Sequence, residues 1–189
     1  FNNTSEVRPD ILSTDTHGSN AVNFAILYLF DYVFAPRYKD TGNKLDSIYG
    51  FKHKQAYADM PIQPVRKINT QLIIDEWEQI KKIMVSLATK STTQSIIISK
   101  LSAHERKNRT KSALCEFDNI IRSIHLLKYI DDISYRQSIQ KALNRGESYN
   151  KLRRAISYAN GGKLRVQTEM SQQIYNECGR LLANNIILY

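Results

Sequence analysis

Cysteine, long apolar runs and the glycine-rich or histidine-rich signatures of common enzymes are what this 189-residue chain has little of. Only Cys115 and Cys178 are present, far apart and without metal-ligand spacing, which argues against a zinc knuckle or a disulfide scaffold. Both fall on apolar helical stretches and read as plain buried thiols. No apolar run reaches about 18 residues, so no membrane partner is expected; the longest, Leu181 to Tyr189, is interrupted by Asn184 and Asn185. There is no signal peptide, and Phe1 stands where an initiator methionine would, so the chain reads as a piece of a longer protein. A phosphate-binding glycine loop, a Gly-x-Ser-x-Gly elbow, a His-Glu-x-x-His pair and a Cys-x-x-Cys pair are all missing.

What is present is a basic, core-forming composition. Apolar residues make up 42% and charged ones 24%, which excludes global disorder and a fibrous repeat. Net charge is +9, and it is unevenly spread. Residues 1–60 are close to neutral, whereas the remainder carries the whole excess of lysine and arginine. A basic segment joined to a neutral one predicts a polyanion partner, nucleic acid first among them.

Periodicity divides the chain in two. A turn and a short buried strand ending at Asp15 are followed by a break at Gly18, a cap at Asn20 and a helix over 21–29. A second strand, Tyr32 to Ala35, closes at Pro36. Strand, helix and strand with short links predict a parallel pair. Residues 40–66, with Gly42, Gly50, Pro61 and Pro64, read as an irregular connector. Helices are then expected over 68–87, 93–101, 112–129 and 134–143. A break at Asn144-Arg145-Gly146-Glu147 precedes a basic helix to Tyr158, and a last helix covers 167–188. On the third of these helices Leu114, Phe117, Ile120, Ile121, Ile124 and Leu127 are expected to face inward.

Two acids stand out. Asp15, at the carboxyl end of a buried strand, occupies the position where open α/β sheets bind ligands, and its oxygens suit a hard cation such as magnesium. Spacing alone favours a helix cap or Asx-turn there. Glu147, expected to open a helix behind Gly146, could project into a cleft, but Asn144-x-x-Glu147 also fits a capping box. Glu169 at the last helix start is a weaker rival for the same role. His17, His53, His104 and His125 share no spacing, and His125 reads as an ordinary packed or surface histidine. Lys100, Arg106, Lys107, Arg109 and Lys111 crowd one link, and Arg145, Lys151, Arg153, Arg154, Lys163 and Arg165 surround Glu147. Such runs are usually solvated faces, yet a basic cluster beside a metal-type carboxylate favours a phosphodiester.

The blocks Ser13-Thr14-Asp15-Thr16-His17-Gly18, Val22-Asn23-Phe24-Ala25 and Phe34-Ala35-Pro36-Arg37 resemble the core of the Tn-three family replicative transposases. So do Ala142-Leu143-Asn144-Arg145-Gly146-Glu147, Leu152-Arg153-Arg154-Ala155-Ile156, Gly161-Gly162-Lys163-Leu164-Arg165 and the run from Gln167 to Asn184. The resemblance spans nearly the whole chain in the family's order. It implies an α/β fold, an incomplete RNase H-like (retroviral-integrase-like) core with a large α-helical insertion, mostly helical overall. Residues 1–50 would be the partial core, 51–143 the insertion and 144–189 the final catalytic helices.

The resemblance also implies an Asp-Asp-Glu triad holding two Mg²⁺ ions for in-line displacement at phosphorus. Asp15 and Glu147 match two of the three acids, with Glu169 the rival for the last. Arg145, Lys151, Arg153, Arg154, Lys163 and Arg165 become DNA-contact candidates. Implied partners are transposon-end and target DNA and, in the intact enzyme, a second copy as homodimer; the implied setting is the bacterial cytoplasm at the nucleoid. The family's first Asp belongs upstream of Asp15, where Glu6 and Asp10 do not fit, so this chain alone is expected not to cleave or join DNA. A non-catalytic DNA-binding remnant is the alternative. Asp31, where glycine is expected ahead of the second strand, is a minor departure.

Overall fold

The computed structural model describes residues 9–15, 22–91, 93, 96–97, 108–158 and 168–189. The chain forms two compact units, Phe1–Ile139 and Gln140–Tyr189. Helices dominate, and among the described residues none is long and apolar enough to cross a membrane.

The first unit starts with the expected parallel pair. Strand β1 (Ile11–Leu12) and strand β2 (Val33–Phe34) pair with Ile11 opposite Val33, and helix α1 (Asn23–Leu29) links them. Hydrogen bonding runs further than the strands themselves: Val33 N–H donates to Asp10, Ala35 to Leu12 and Arg37 to Thr14, at 2.8–2.9 Å. Asp31 takes the left-handed conformation at φ 64° before β2. That is why glycine is the natural residue there, and aspartate is among the few others that tolerate it. Val22, ahead of α1, is also left-handed at φ 70°, a costly conformation for a β-branched residue.

Helix α2 (Thr70–Ala88) is capped by Asn69, whose side chain accepts from Leu72 N–H at 3.1 Å. Helix α3 (Arg109–Asp131) starts earlier than periodicity suggests because Asn108 caps it, accepting from Lys111 N–H at 3.0 Å. The core is built where α1, α2 and α3 meet, from Ala25, Ile26, Ile80, Leu87, Ala113 and Leu114. Trp77 and Tyr28 pack edge-on against Phe117 beside it. Only Thr93, Ile96 and Ile97 of the helix expected over 93–101 are described, and Asn20 lies outside the described residues.

Three sequence expectations are corrected. Ile124 and Leu127 of α3 are exposed, while Asp118, Ser123, His125, Leu126 and Tyr129 are buried. The buried face turned toward polar groups that need partners: the start of α1, the Pro36 carbonyl and the Tyr49 N–H. Neither cysteine is fully buried: Cys115 is half-buried and Cys178 is exposed. Finally, there is no break at 144–147. Helix α4 (Ile133–Ser157) runs without interruption through Gly146, where an added Cβ would meet nothing within 4 Å. One interior glycine costs about 1 kcal/mol, too little to end a helix otherwise rich in Arg, Lys, Glu, Gln and Leu. Helix α5 (Glu169–Leu188) ends the chain, capped by Thr168 through Ser171 N–H at 3.2 Å.

Candidate metal and DNA-binding site

Asp15 lies just beyond the last hydrogen bond of the parallel pair and is exposed. In a parallel pair both carboxyl ends lie at one edge, so Arg37 and Thr14, joined by the Arg37 N–H to Thr14 carbonyl bond of 2.8 Å, share that edge with it. Thr14 Oγ1 is buried and has no hydrogen-bond partner among the described residues. A buried hydroxyl next to an exposed carboxylate sets two oxygen donors side by side, the donor type that a hard cation takes.

Asp15 is not the cap of α1. Val22 at its start makes no side-chain cap bond, and the N–H of Ala25 donates to Asp118 Oδ1 at 3.1 Å, from α3. Arg122 pairs with the other Asp118 oxygen at 2.6 Å and lies over the Phe24 ring. Burial still pushes the Asp118 carboxyl above the usual carboxylate range, with Arg122 opposing it. Sequence reasoning missed Asp118, although an acid within the inward stripe of α3 was a readable signal.

Glu147 is exposed in the middle of α4, so it neither opens a helix nor takes part in a capping box. Asn144 instead accepts from Gln140 Nε2 at 2.7 Å along the same helix. Helical spacing sets Gln140, Asn144, Glu147, Lys151, Arg154 and Tyr158 on one stripe, exposed from Asn144 onward. Arg145 falls on the far side of the helix from that stripe, about 200° of turn from Glu147.

Arg153 is half-buried and donates to the Asn176 carbonyl on α5 at 3.1 Å. Gly179 leaves it room, since a Cβ there would stand 3.0 Å from Arg153 Nη1. Arg153 is thus a tie between two helices, and Arg154 is the outward cation of the pair. Glu169 is the first residue of α5, exposed, in the turn where a carboxylate complements the helix dipole. Lys163 and Arg165 lie outside the described residues, as do Lys100, Arg106 and Lys107. Arg109 bridges Asp75 and Glu76 on α2, so its charge serves packing.

Of the two ordinary readings the sequence leaves for His125, packed or surface, it is packed. A carbonyl only accepts, so its Nε2–H donates to Pro36 O at 3.2 Å, and Nδ1 accepts from the Tyr135 hydroxyl at 3.1 Å. Burial lowers its pKa to about 4. Among the described residues no three His, Cys, Asp or Glu side chains cluster as a metal site.

A family model described as Tn3 transposase DDE domain matches residues 1–189. The chain is 32% identical over 175 residues to the transposase for transposon Tn1546 of Enterococcus faecium, covering 93% of this chain and 17% of that protein. It is 28% identical over 186 residues to the transposase for transposon Tn21 of Escherichia coli, covering 98% and 18%. With the transposase for transposon gamma-delta of Escherichia coli (strain K12) the identity is 29% over 191 residues, covering 97% and 18%. The chain thus spans less than a fifth of the length of these relatives.

Proposed function

The chain belongs to the Tn3 transposase DDE-domain family, and we propose that it supplies Asp15 and Glu147 to the metal-holding triad of a transposase that cuts transposon ends and joins them to target DNA. Residues 1–50 are then part of an RNase H-like core, 51–143 an insertion and 144–189 the last catalytic helices. The observation that carries this reading is Asp15 itself: an exposed carboxylate past the last rung of a parallel pair, next to the buried hydroxyl of Thr14.

Each side chain has a definable task. Asp15, Thr14 and Glu147 offer the oxygen donors that Mg²⁺ prefers. Two such ions, when bound, supply Lewis acidity and neutralise charge at the reacting phosphate. Lys151 and Arg154, on the Glu147 stripe, draw phosphate oxygens toward it by charge-assisted contacts. Arg153 keeps α4 against α5 and so steadies the helix that carries Glu147. Two transposon ends must be held at once, which calls for a homodimer of the intact enzyme acting on nucleoid DNA.

Assayed alone, the chain is inactive in strand transfer. Asp10 is five residues before Asp15 on an extended backbone, about 16 Å away, too far to share a metal with it. Titration with Mn²⁺, followed by electron paramagnetic resonance, tests the assignment. Asp15→Asn and Glu147→Gln each weaken Mn²⁺ binding at least tenfold, whereas Glu169→Gln leaves it unchanged. A loss with Glu169→Gln alone moves the third ligand to that residue. DNA binding with no Mn²⁺ uptake favours the non-catalytic DNA-binding remnant.

A further inference from the structure

The connector between β2 and α2 carries charge that the chain-wide count conceals. Lys52, His53 and Lys54 stand at one end of it and Arg66 and Lys67 at the other, with Asp59 the one acid between Gly50 and Ile68. Folding brings the two ends together. Gly50 N–H donates to the Arg66 carbonyl at 3.1 Å, and Ile68 N–H to the Gly50 carbonyl at 2.8 Å, forming a parallel bridge between Gly50 and Lys67. Glycine is needed at that crossing, since a Cβ would stand 2.9 Å from Pro64 and 3.0 Å from the Tyr57 ring.

The result is an open concavity of about 530 Å³ lined by His53, Lys54, Gln55, Gln63, Arg66 and Lys67. No carboxylate is among its lining residues. Its frame is fixed rather than loose. The Tyr57 hydroxyl accepts from the N–H groups of Phe51 and Lys52, and Gln63 donates to the Ala58 carbonyl. Arg66 is held by both oxygens of Glu116, at 2.8 and 3.1 Å, and lies over the Tyr49 ring. Its charge is thereby spoken for. Lys54 and Lys67 are left as the exposed ammonium groups of the hollow, with two primary amides as neutral donors.

We propose that this hollow is a second DNA contact, in which Lys54 and Lys67 hold the phosphodiester backbone. It rests on the reading of the chain as a DNA-acting transposase domain and extends it to a surface distinct from the Asp15 and Glu147 carboxylates. Two point charges with flexible stems, flanked by amide donors and free of base-shaped features, suit phosphate oxygens rather than base edges. The contact is therefore independent of sequence.

The test is the salt dependence of binding of the 189-residue chain to a 20-base-pair duplex, measured by fluorescence anisotropy. Each phosphate contact adds about 0.9 to the slope of log K against log salt. Lys54→Ala/Lys67→Ala should make that slope shallower by about 2 on two different duplex sequences, leave Mn²⁺ binding unchanged and keep the wild-type melting temperature. Lys54→Glu/Lys67→Glu should weaken binding further. An unchanged slope with intact wild-type binding overturns this contact alone. Absence of any DNA binding by the wild-type chain overturns the parent reading and the contact with it. Equal loss on an acidic peptide with none on DNA reassigns the hollow to a protein partner and likewise overturns the proposal.

Discussion

The Asp118 carboxylate on α3 accepts the N–H of Ala25 at 3.1 Å, so a residue 93 positions downstream caps the helix that follows the Asp15 segment. Val22, at the start of α1, makes no side-chain cap bond, and a backbone donor in the first turn finds a buried acid instead. Asp118→Ala leaves both Ala25 N–H and Arg122 without their acceptor and should cost about 3 kcal/mol. Asp118→Asn keeps one acceptor and should cost about 1 kcal/mol. Urea denaturation of the two variants measures the difference, and equal costs would show that the hydrogen bond to α1 is not what matters.

His125 makes stability depend on pH. Its folded pKa of about 4 lies below the 6.5 of an ordinary histidine, so the unfolded chain binds the extra proton between those values. Stability from this group is whole above about 6.5 and falls as pH drops toward about 4, by about 3 kcal/mol at most. Unfolding free energies measured at pH 7, 5.5 and 4.5 should show that fall. His125→Gln, which can still donate to Pro36 O, should flatten it.

Gly146 lies inside a continuous helix with open space around it. Gly146→Ala should therefore stabilise the protein by about 1 kcal/mol, seen as a higher melting temperature and unchanged or greater helicity. A lower melting temperature would mean that the backbone turns at this point after all.

Arg153 and Arg154 are neighbours with different tasks. Arg154→Ala should make the salt slope of DNA binding shallower by about 1 without lowering the melting temperature. Arg153→Ala, which cuts the tie to the Asn176 carbonyl, should lower the melting temperature and leave the slope nearly unchanged. The reverse pattern would exchange their roles.

Local signals in the chain were sufficient for the parallel pair and, to within two residues at each end, for helices α2 and α5, because turn residues and 3.6-residue spacing are short-range features. They misplaced the helix boundary at 144–147, where a single glycine was read as a stop. They also turned Ile124 and Leu127 of α3 inward, because counting apolar residues gives no weight to buried donors that need an acceptor.

The order of residues by itself determined the family, the placement of Asp15 at a strand end and the basic excess. Only the tertiary structure decided that Asp118 caps α1, that Arg153 serves packing while Arg154 faces outward, and that Lys54 and Lys67 meet in one hollow. The reason is physical: propensity and periodicity act over a few residues, whereas hydrogen-bond satisfaction and charge placement are settled between segments that meet only once the chain has folded.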